Sequence, residues 1–214
     1  VALQVGEGQV SQERLESASG VDDQLMLAID RLFRQAGQAP STLELIGLSI
    51  GPGGFTGLRV AVSTARMLAM TTGCRIVPVP SAIVAAMSQT KAHRLAVMAS
   101  CKHDTAWLTR VDIDSEGLAN IVGEPGLVSS EGLKDLLDPG MCVLADTHLP
   151  SNMNASLAAL EIVVEEPQFH PEVLIQYAQA AATREEILDS HHLEPLYARE
   201  PEAVRLFSDR EQAL

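Results

Sequence analysis

The first ninety residues change from a two-residue period of apolar side chains to a helical one. Residues 1–5 and 9–15 alternate around Gly6-Glu7-Gly8 and predict a β-hairpin. Downstream lie two segments with apolar residues at helical spacing and two short apolar runs. In chain order they predict helix 22–35, strand 43–50, helix 57–71 and strand 74–79. Ser81 begins a third helix to about residue 88. This alternation of strands and helices is typical of an α/β fold.

A break near residue 91 separates this pattern from a second one. Segments 94–100 and 104–112 resemble paired strands. The elements predicted after them are a short helix at 129–137, strands at 141–145 and 160–165, and a helix at 171–188 that begins with a proline. We therefore predict two lobes, residues 1–91 and residues 92–214 with a C-terminal tail.

The acidic composition limits which partners the chain can bind directly. It has 28 acidic and 15 basic residues among 214, a formal net charge of −13. A protein that binds nucleic acid by itself normally carries a basic patch, because neutralising phosphates supplies most of the affinity. No basic run occurs, so we expect any nucleic-acid role to act through a partner protein. Neither a membrane span nor a signal peptide is predicted, and three widely spaced cysteines fit a cytoplasmic protein.

The segment LIGLSIGPGGFTG, residues 45–57, has three competing interpretations. As a phosphate cradle it lacks the Gly-Lys-Ser/Thr of a P-loop, and Thr56 stands where a dinucleotide fingerprint needs its third glycine. As a nucleophile turn around Ser49 it fits G-x-S-x-G, but the glycines that follow are a poor start for a helix. A turn that places the next helix fits best. Anion binding by free backbone N–H groups at the helix start stays open.

The placement interpretation makes this turn a structural loop. Its glycines give positive-φ freedom and its proline fixes one φ angle, so the chain can reverse sharply. Thr56 is predicted to cap helix 57–71. The residues of the predicted loop are Gly51, Pro52, Gly53, Gly54, Thr56 and Gly57.

Helix 57–71 is apolar on two sides when its residues are placed at 100° intervals. The face predicted to pack on the sheet consists of Leu58, Ala61, Val62, Ala65, Leu68 and Ala69. The opposite side carries Val60, Met67 and Met70 among Arg59, Ser63, Thr64 and Arg66. A helix that is apolar on two sides is buried on both.

Helix 22–35 shows a milder version of the same pattern. Its predicted inward face consists of Leu25, Met26, Ile29, Leu32 and Phe33. Leu27 lies on the polar side, together with Asp30 and Arg34. Two explanations remain open for the outward apolar residues of both helices. They form a contact surface for another protein, or the second lobe of the same chain covers them.

Two stretches of the sequence resemble one known family. The run GPGGFTGLRVAVSTARMLA is similar to the GPGSFTGLR signature and following helix of the TsaB (YeaZ) family. The tail LEPLYAREPEAVR resembles that family's Glu-Pro-x-Tyr-x-Arg ending. The order of elements agrees along nearly the whole chain, although the second lobe matches in pattern more than in motif.

The resemblance implies an ASKHA-type fold, related to actin, sugar kinases and Hsp70, with two lobes of mixed sheets flanked by helices. It implies a non-catalytic partner of the TsaD threonylcarbamoyltransferase, which makes N6-threonylcarbamoyladenosine at position 37 of tRNAs that read ANN codons. A TsaE-type ATPase joins the family's bacterial complex, and tRNA contact is expected only through partners. No tightly bound cofactor is expected. The resemblance leaves open whether ATP or ADP binds at the joint with TsaD.

In the family, the helices after the hairpin and after the GPG loop form the dimer interface, with a second copy or with TsaD. Carried onto this chain, that interface consists of Leu27, Asp30, Arg34, Arg59, Val60, Ser63, Met67 and Met70. TsaD-like enzymes hold a metal with two histidines at helical spacing, and this sequence contains no H-x-x-x-H pair. We therefore predict no catalytic and no metal-binding residue. The alternative is an active TsaD-like transferase or a metallopeptidase-like enzyme.

Two features depart from the family pattern. Relatives begin with a strand and an Asp-Thr-Ser turn before the segment equivalent to VALQV, so we expect about a dozen residues and one strand to be missing and one sheet edge to be open. Many relatives carry a histidine at the start of the first helix, where this chain has Val21-Asp22-Asp23. The second departure puts any role of that histidine in doubt.

Overall fold

A computed structural model describes residues 1–15, 21–89, 92–102, 104–184 and 190–198. The elements of the first half are β1 (Ala2–Gln4), β2 (Val10–Gln12), α1 (Val21–Gln35), β3 (Leu45–Gly51), α2 (Phe55–Thr72), β4 (Arg75–Pro80) and α3 (Ser81–Met87). Those of the second half are β5 (Arg94–Ser100), β6 (Thr105–Ile113), β7 (Ala119–Ser129), α4 (Leu133–Leu136), β8 (Cys142–Ala145), α5 (Ser151–Ala159), β9 (Val163–Glu165) and α6 (Pro171–Thr183). Short 3₁₀ turns lie at Pro40–Thr42, Ser130–Gly132 and Ser190–His192.

The strands of the described residues form three sheets. β1 and β2 pair antiparallel as the predicted hairpin, with Leu3 opposite Ser11. β3 and β4 pair in parallel, and α2 connects them as the crossover helix. The third sheet has five strands in the order β7-β6-β5-β8-β9. In it, β5, β6 and β7 are antiparallel neighbours, whereas β8 and β9 are parallel to β5. This mixed α/β structure confirms the predicted fold class.

Most predicted elements are present, and two were missed. β7 escaped detection because Gly123, Pro125 and Gly126 interrupt its apolar pattern and most of its residues are exposed. α5 escaped because only Met153 and Leu157 of its nine residues are buried, too few to show a helical period. The helix predicted at 129–137 is a 3₁₀ turn followed by the single turn α4. The helix predicted at 171–188 ends at Thr183, and residues 185–189 lie outside the described residues.

The main hydrophobic core runs across the break near residue 91. Five consecutive residues of α3, Ala82 to Ala86, are buried. They share one cluster with Val77 and Val79 of β4, with residues of β5, β6 and β8, and with Ala178 and Ala181 of α6. A helix buried on all sides is surrounded by other elements. The described residues on the two sides of the break thus share a core, and the division at residue 91 stays a prediction.

Helix α6 packs closely against β3 because β3 has a glycine at the contact. A Cβ atom on Gly47 would lie 2.7 Å from the Ala178 Cβ and 3.2 Å from the Leu174 carbonyl oxygen. The Ala178 side chain is 1% exposed. A larger residue at position 47 would therefore have to push α6 away from the sheet.

The loop between β3 and α2 is held by the C-terminal segment of the chain. Gly51 has a φ of 111°, and the Gly51–Pro52 peptide bond is cis. A Cβ at Gly51 would meet the Leu196 carbonyl oxygen at 2.5 Å and Leu58 Cδ1 at 2.8 Å. The Leu196 N–H donates a hydrogen bond to the Ile50 carbonyl at 2.8 Å. Residue 51 must therefore be glycine, both because its φ angle is positive and because a Cβ atom would clash with Leu196 and Leu58.

The helix after this loop begins two residues earlier than predicted. Its N-cap is Gly54, which offers no side-chain cap, and its first residue is Phe55. The prediction that Thr56 caps the helix is therefore wrong: Thr56 and Gly57 lie in its first turn. Extended backbone at Gly54, with φ −61° and ψ 123°, supplies the N-cap conformation that the hydroxyl was expected to mark.

We expect Gly47→Ala to lower the free energy of unfolding by roughly 1–3 kcal/mol, the usual cost of overpacking. Gly57→Ala is the matched control, because a Cβ there meets nothing within 4 Å. In the first turn of a helix, that change should be neutral or stabilise by up to about 1 kcal/mol. Urea unfolding followed by circular dichroism compares the two variants. Equal midpoints would contradict the close α6–β3 contact.

We expect Gly51→Ala to destabilise by roughly 2–4 kcal/mol, since a positive φ and a clash with a backbone oxygen add together. Gly53→Ala is its control, because the new Cβ would sit at an ordinary 3.9–4.0 Å from Leu58. That control should change stability by no more than about 0.5 kcal/mol. Thermal unfolding of both proteins measures the difference, and a Gly51→Ala protein as stable as Gly53→Ala would refute the loop geometry.

Candidate partner-binding surface

Helices α1 and α2 pack beside each other, and each buries one face. On α2 the buried side chains are Leu58, Val62, Ala65 and Ala69, all on the face predicted to pack on the sheet. On α1 they are Ala28, Leu32 and Phe33. Because a helix turns by about 100° per residue, these inward faces fix which side chains point outward.

The outward side of this helix pair carries large apolar side chains in contact with solvent. Leu27 of α1 is 57% exposed, Met67 of α2 is 50% exposed and Met70 is 71% exposed. The described part of the second half of the chain thus leaves all three open. Both explanations for the outward apolar residues therefore stay predictions, and only the described residues are shown not to cover these side chains.

The other predicted surface residues frame these apolar side chains with polar groups. Ser63 is exposed, and Val60 is half-buried between the inner and outer faces. Asp30 and Arg34 are exposed and bind each other across one helical turn, with Arg34 Nε 2.9 Å from Asp30 Oδ2. Exposed pairs of this kind contribute little to stability, so their carboxylate and guanidinium remain available to a partner.

Two apolar surface residues were missed. Met26 was predicted to face inward, but its side chain is 44% exposed. It lies at the edge of the apolar arc of α1, where a helical projection separates buried from exposed positions poorly. Phe55 is 43% exposed and was read as part of the loop. The sequence contains a signal for this position, because a bulky aromatic residue directly after Gly51-Pro52-Gly53-Gly54 fits the start of a helix. We call the side chains of Met26, Leu27, Phe55, Met67 and Met70 the apolar stripe.

Arg59 lies at the end of this stripe and is engaged within the chain. Its guanidinium carbon lies 3.9 Å from the centre of the Phe55 ring. Its Nε donates a hydrogen bond to the Tyr197 hydroxyl at 3.1 Å. The Phe55 and Tyr197 rings contact each other with centroids 5.1 Å apart. Arg59 therefore has contacts within the chain that no local sequence pattern indicated. That it also contacts a partner stays a prediction.

The hairpin is tied to α1 by an ion pair. Arg31 Nε donates to both carboxylate oxygens of Glu13, each at 2.9 Å. The hydrogen bond from Arg31 lowers the pKa of Glu13 below its ordinary value. A lowered pKa means that the pair stabilises the protein above the ordinary glutamate pKa and that its contribution is lost as the pH falls through the folded-state value. Because Arg31 is exposed and Glu13 only partly buried, solvent screens the pair and the contribution is small.

The residues considered for chemistry are not arranged for it. Ser49 Oγ lies 2.9 Å from Ser81 Oγ, so its partner is another hydroxyl and not a general base. In the described ranges, no group of three or more His, Cys, Asp or Glu side chains could hold a metal ion. A depression of about 200 Å³ lies on the five-stranded sheet, where its lining includes Leu108, Arg110, Glu124 and Leu127. It is smaller than the roughly 300–1,000 Å³ of most small-molecule sites.

None of the helices in the described ranges combines the length and the apolar character needed to cross a lipid bilayer. The exposed apolar side chains of Leu27 on α1 and Met67 on α2 lie on the side of each helix opposite its buried face. Large exposed apolar patches on such helices mark sites of interaction.

Comparison with solved structures identifies the same fold elsewhere. The structure titled "YeaZ from Pseudomonas aeruginosa" matches with a TM-score of 0.73 at 20% sequence identity, covering 92% of each chain. A second structure from Pseudomonas aeruginosa, described as an uncharacterized protein with similarity to peptidase YeaZ, gives a TM-score of 0.76 at 20% identity. It covers 92% of this chain and 93% of that one. These matches confirm the ASKHA-type fold that the GPGGFTGLR run implied.

Comparison of sequences identifies the family. No curated protein sequence matches the chain. The family model described as "TsaD: tRNA N6-adenosine threonylcarbamoyltransferase" matches residues 17–165, well over half of the chain. The matched region begins just before α1 and ends with β9, so it includes both helices of the apolar stripe. The chain therefore belongs to the TsaD family.

Proposed function

We propose that this protein is a TsaB-type, non-catalytic partner that activates a TsaD-type threonylcarbamoyltransferase. The reaction served is the formation of N6-threonylcarbamoyladenosine at position 37 of tRNAs that read ANN codons. Membership of the TsaD family and the YeaZ-like fold support a role in this modification. The observation that carries the finer proposal is the apolar stripe on α1 and α2, which the described part of the chain leaves open to solvent.

The stripe has the composition of a protein–protein contact. It contains three methionines, one leucine and one phenylalanine on two adjacent helices. Methionine and aromatic residues are enriched at the centres of interfaces, and charged residues at their rims. Here the charged pair Asp30–Arg34 lies on the same helix as Met26 and Leu27. Burying one Leu, Met or Phe side chain contributes about 1.5–3 kcal/mol, so a few of them can offset the entropy lost on association.

The stripe also fits a second copy of this chain, because the same surface can pair with itself about a two-fold axis. We propose that a homodimer forms through these helices when the TsaD-type partner is absent. The transferase and a second copy then compete for one surface. A TsaE-type ATPase completes the proposed cytoplasmic complex.

Charge supports an indirect relation to tRNA. The net charge of −13 repels a polyanion, and phosphate contacts supply most nucleic-acid affinity. The proposed role therefore consists of positioning the transferase, which provides the contact with tRNA. In the same proposal, ATP or ADP lies at the joint between the two proteins. The N-terminus of α2 has no side-chain cap, which leaves backbone N–H donors of the kind that suit phosphate oxygens.

The non-catalytic assignment rests on residue types. Metal-dependent members of this superfamily need ligands at helical spacing, and the six histidines of the sequence contain no H-x-x-x-H pair. The rival proposal is an active TsaD-like transferase or a metallopeptidase-like enzyme. It predicts one tightly bound metal ion per chain and turnover without a partner. Elemental analysis of protein purified from its native cell, with an activity assay of the isolated chain, decides between the two.

We expect Met67→Asp and Val60→Glu each to weaken binding of the TsaD-type transferase by about 100-fold or more. Each places a charge in a surface that loses water on binding, and an unpaired desolvated charge costs several kcal/mol. Neither should unfold the monomer, because Met67 is half exposed and Val60 is only half-buried. Titration calorimetry with the purified transferase measures the affinity.

Val163→Asp is the matched control for these variants. Val163 is 64% exposed, but it lies on the edge strand β9 of the five-stranded sheet, in a different element from the stripe. Its substitution should leave the affinity for the transferase unchanged. Unaltered affinity in both stripe variants would refute the proposed surface. Depletion of the protein in its native cell, followed by quantification of threonylcarbamoyladenosine in tRNA, tests the proposed pathway separately.

A further inference from the structure

The start of helix α2 lacks the interactions that usually hold a helix N-terminus. Its N-cap is a glycine with no side-chain hydrogen bond, and its first turn contains no acidic residue. Gly57 lies within that turn, and glycine weakens a helix by about 0.5–1 kcal/mol relative to alanine. Arg59 adds a positive charge near the positive end of the helix dipole. This turn therefore needs support from outside the helix.

The segment 193–197 supplies contacts at both ends of this weak region. Leu193 is 1% exposed and belongs to the cluster that contains Val62, Ala65 and Ala69 of α2. Leu196 donates its N–H to the Ile50 carbonyl at 2.8 Å, just before the loop. We call residues 193–197 the strap.

Tyr197 closes the strap on the first turn of α2. Its ring contacts the Phe55 ring at 5.1 Å between centroids. Its hydroxyl accepts a hydrogen bond from Arg59 Nε at 3.1 Å, while the Arg59 guanidinium lies over Phe55 at 3.9 Å. Together these three side chains form a closed set of contacts, of which two members belong to α2 and one to the strap.

The strap is long enough to run along the helix. Four residue steps of extended chain, from Leu193 to Tyr197, span about 13 Å. The axis of α2 rises about 10 Å from Val62, a member of the cluster that contains Leu193, to Phe55. A strap that is anchored in this cluster by Leu193 is therefore long enough to reach Phe55 with Tyr197, and it runs in the direction opposite to α2.

We propose that the strap fixes the first turn of α2 and that Tyr197 is thereby a positioning residue for the partner surface. The second half of this proposal rests on the proposed function, since it takes the stripe to be the binding site. Phe55 belongs to the stripe and is held by Tyr197, so the strap orders one end of the surface before a partner arrives. Ordering a surface in advance removes part of the entropy cost of binding.

Hydrogen exchange of the isolated chain tests the strap without any partner. Tyr197→Ala should raise the exchange rates of the amides of residues 55–58 by about ten-fold or more, because a local opening becomes easier. Tyr197→Phe keeps the ring contact and loses the oxygen that Arg59 binds, so it should give an intermediate rate. The amides of β5 and β8 should exchange at the same rate in all three proteins. Phe169→Ala, which removes another exposed aromatic ring, is the control and should leave residues 55–58 unchanged.

Affinity for the transferase tests the positioning role. Tyr197→Ala should weaken binding by about ten-fold, which corresponds to one or two side chains left to be ordered at the moment of binding. Unchanged exchange at residues 55–58, or faster exchange throughout the protein, would overturn the strap. Faster local exchange with unchanged affinity would overturn the positioning role. Met67→Asp should leave local exchange as it is, so failure of the strap and failure of the stripe are distinguishable.

Discussion

The burial of one face of α2 against the parallel pair β3–β4 is the constraint on which the rest of this structure depends. The residues that make this contact include Ala65 and Ala69, whose short side chains let the helix lie close to the sheet. Once that face is fixed, the helical period leaves Met67 and Met70 no alternative to the outer side. The surface proposed for a partner is therefore a direct consequence of how the crossover helix packs on its own sheet. Its position can change only if the α/β layer itself changes.

What could be predicted from the sequence is what repeats over a short distance. The hairpin, both long helices and the strands of the central layers have clear periods, so their order was readable. The eight residues of the interface predicted from the family resemblance are also accessible to solvent, since seven are exposed and Val60 is half-buried. Met26 was misplaced because it lies at the edge of a face, where one residue's rotation decides between burial and exposure. Thr56 was misassigned because backbone conformation at Gly54 caps the helix without a hydroxyl.

What could not be predicted depends on contacts between distant parts of the chain. Arg59 and Tyr197 are 138 residues apart, and neither has a local pattern that indicates the other. The same holds for Gly47, whose need to be glycine is set by Ala178 on α6. Local propensity carries no information about such pairs, because they arise only when separate elements pack. Where a surface combines a periodic helix face with a distant segment, the sequence therefore predicts the helix face but not the segment that packs against it.

The edges of the five-stranded sheet have a consequence for the way this protein associates with others. An exposed strand edge offers unpaired backbone groups to any neighbouring chain. At one end the edge strand β9 has only three residues. At the other end, β7 is eleven residues long, but Pro125 removes a backbone donor at its middle and the register shifts opposite Leu108 and Arg110. Strand addition from a neighbouring chain is thus hindered at both ends of this sheet.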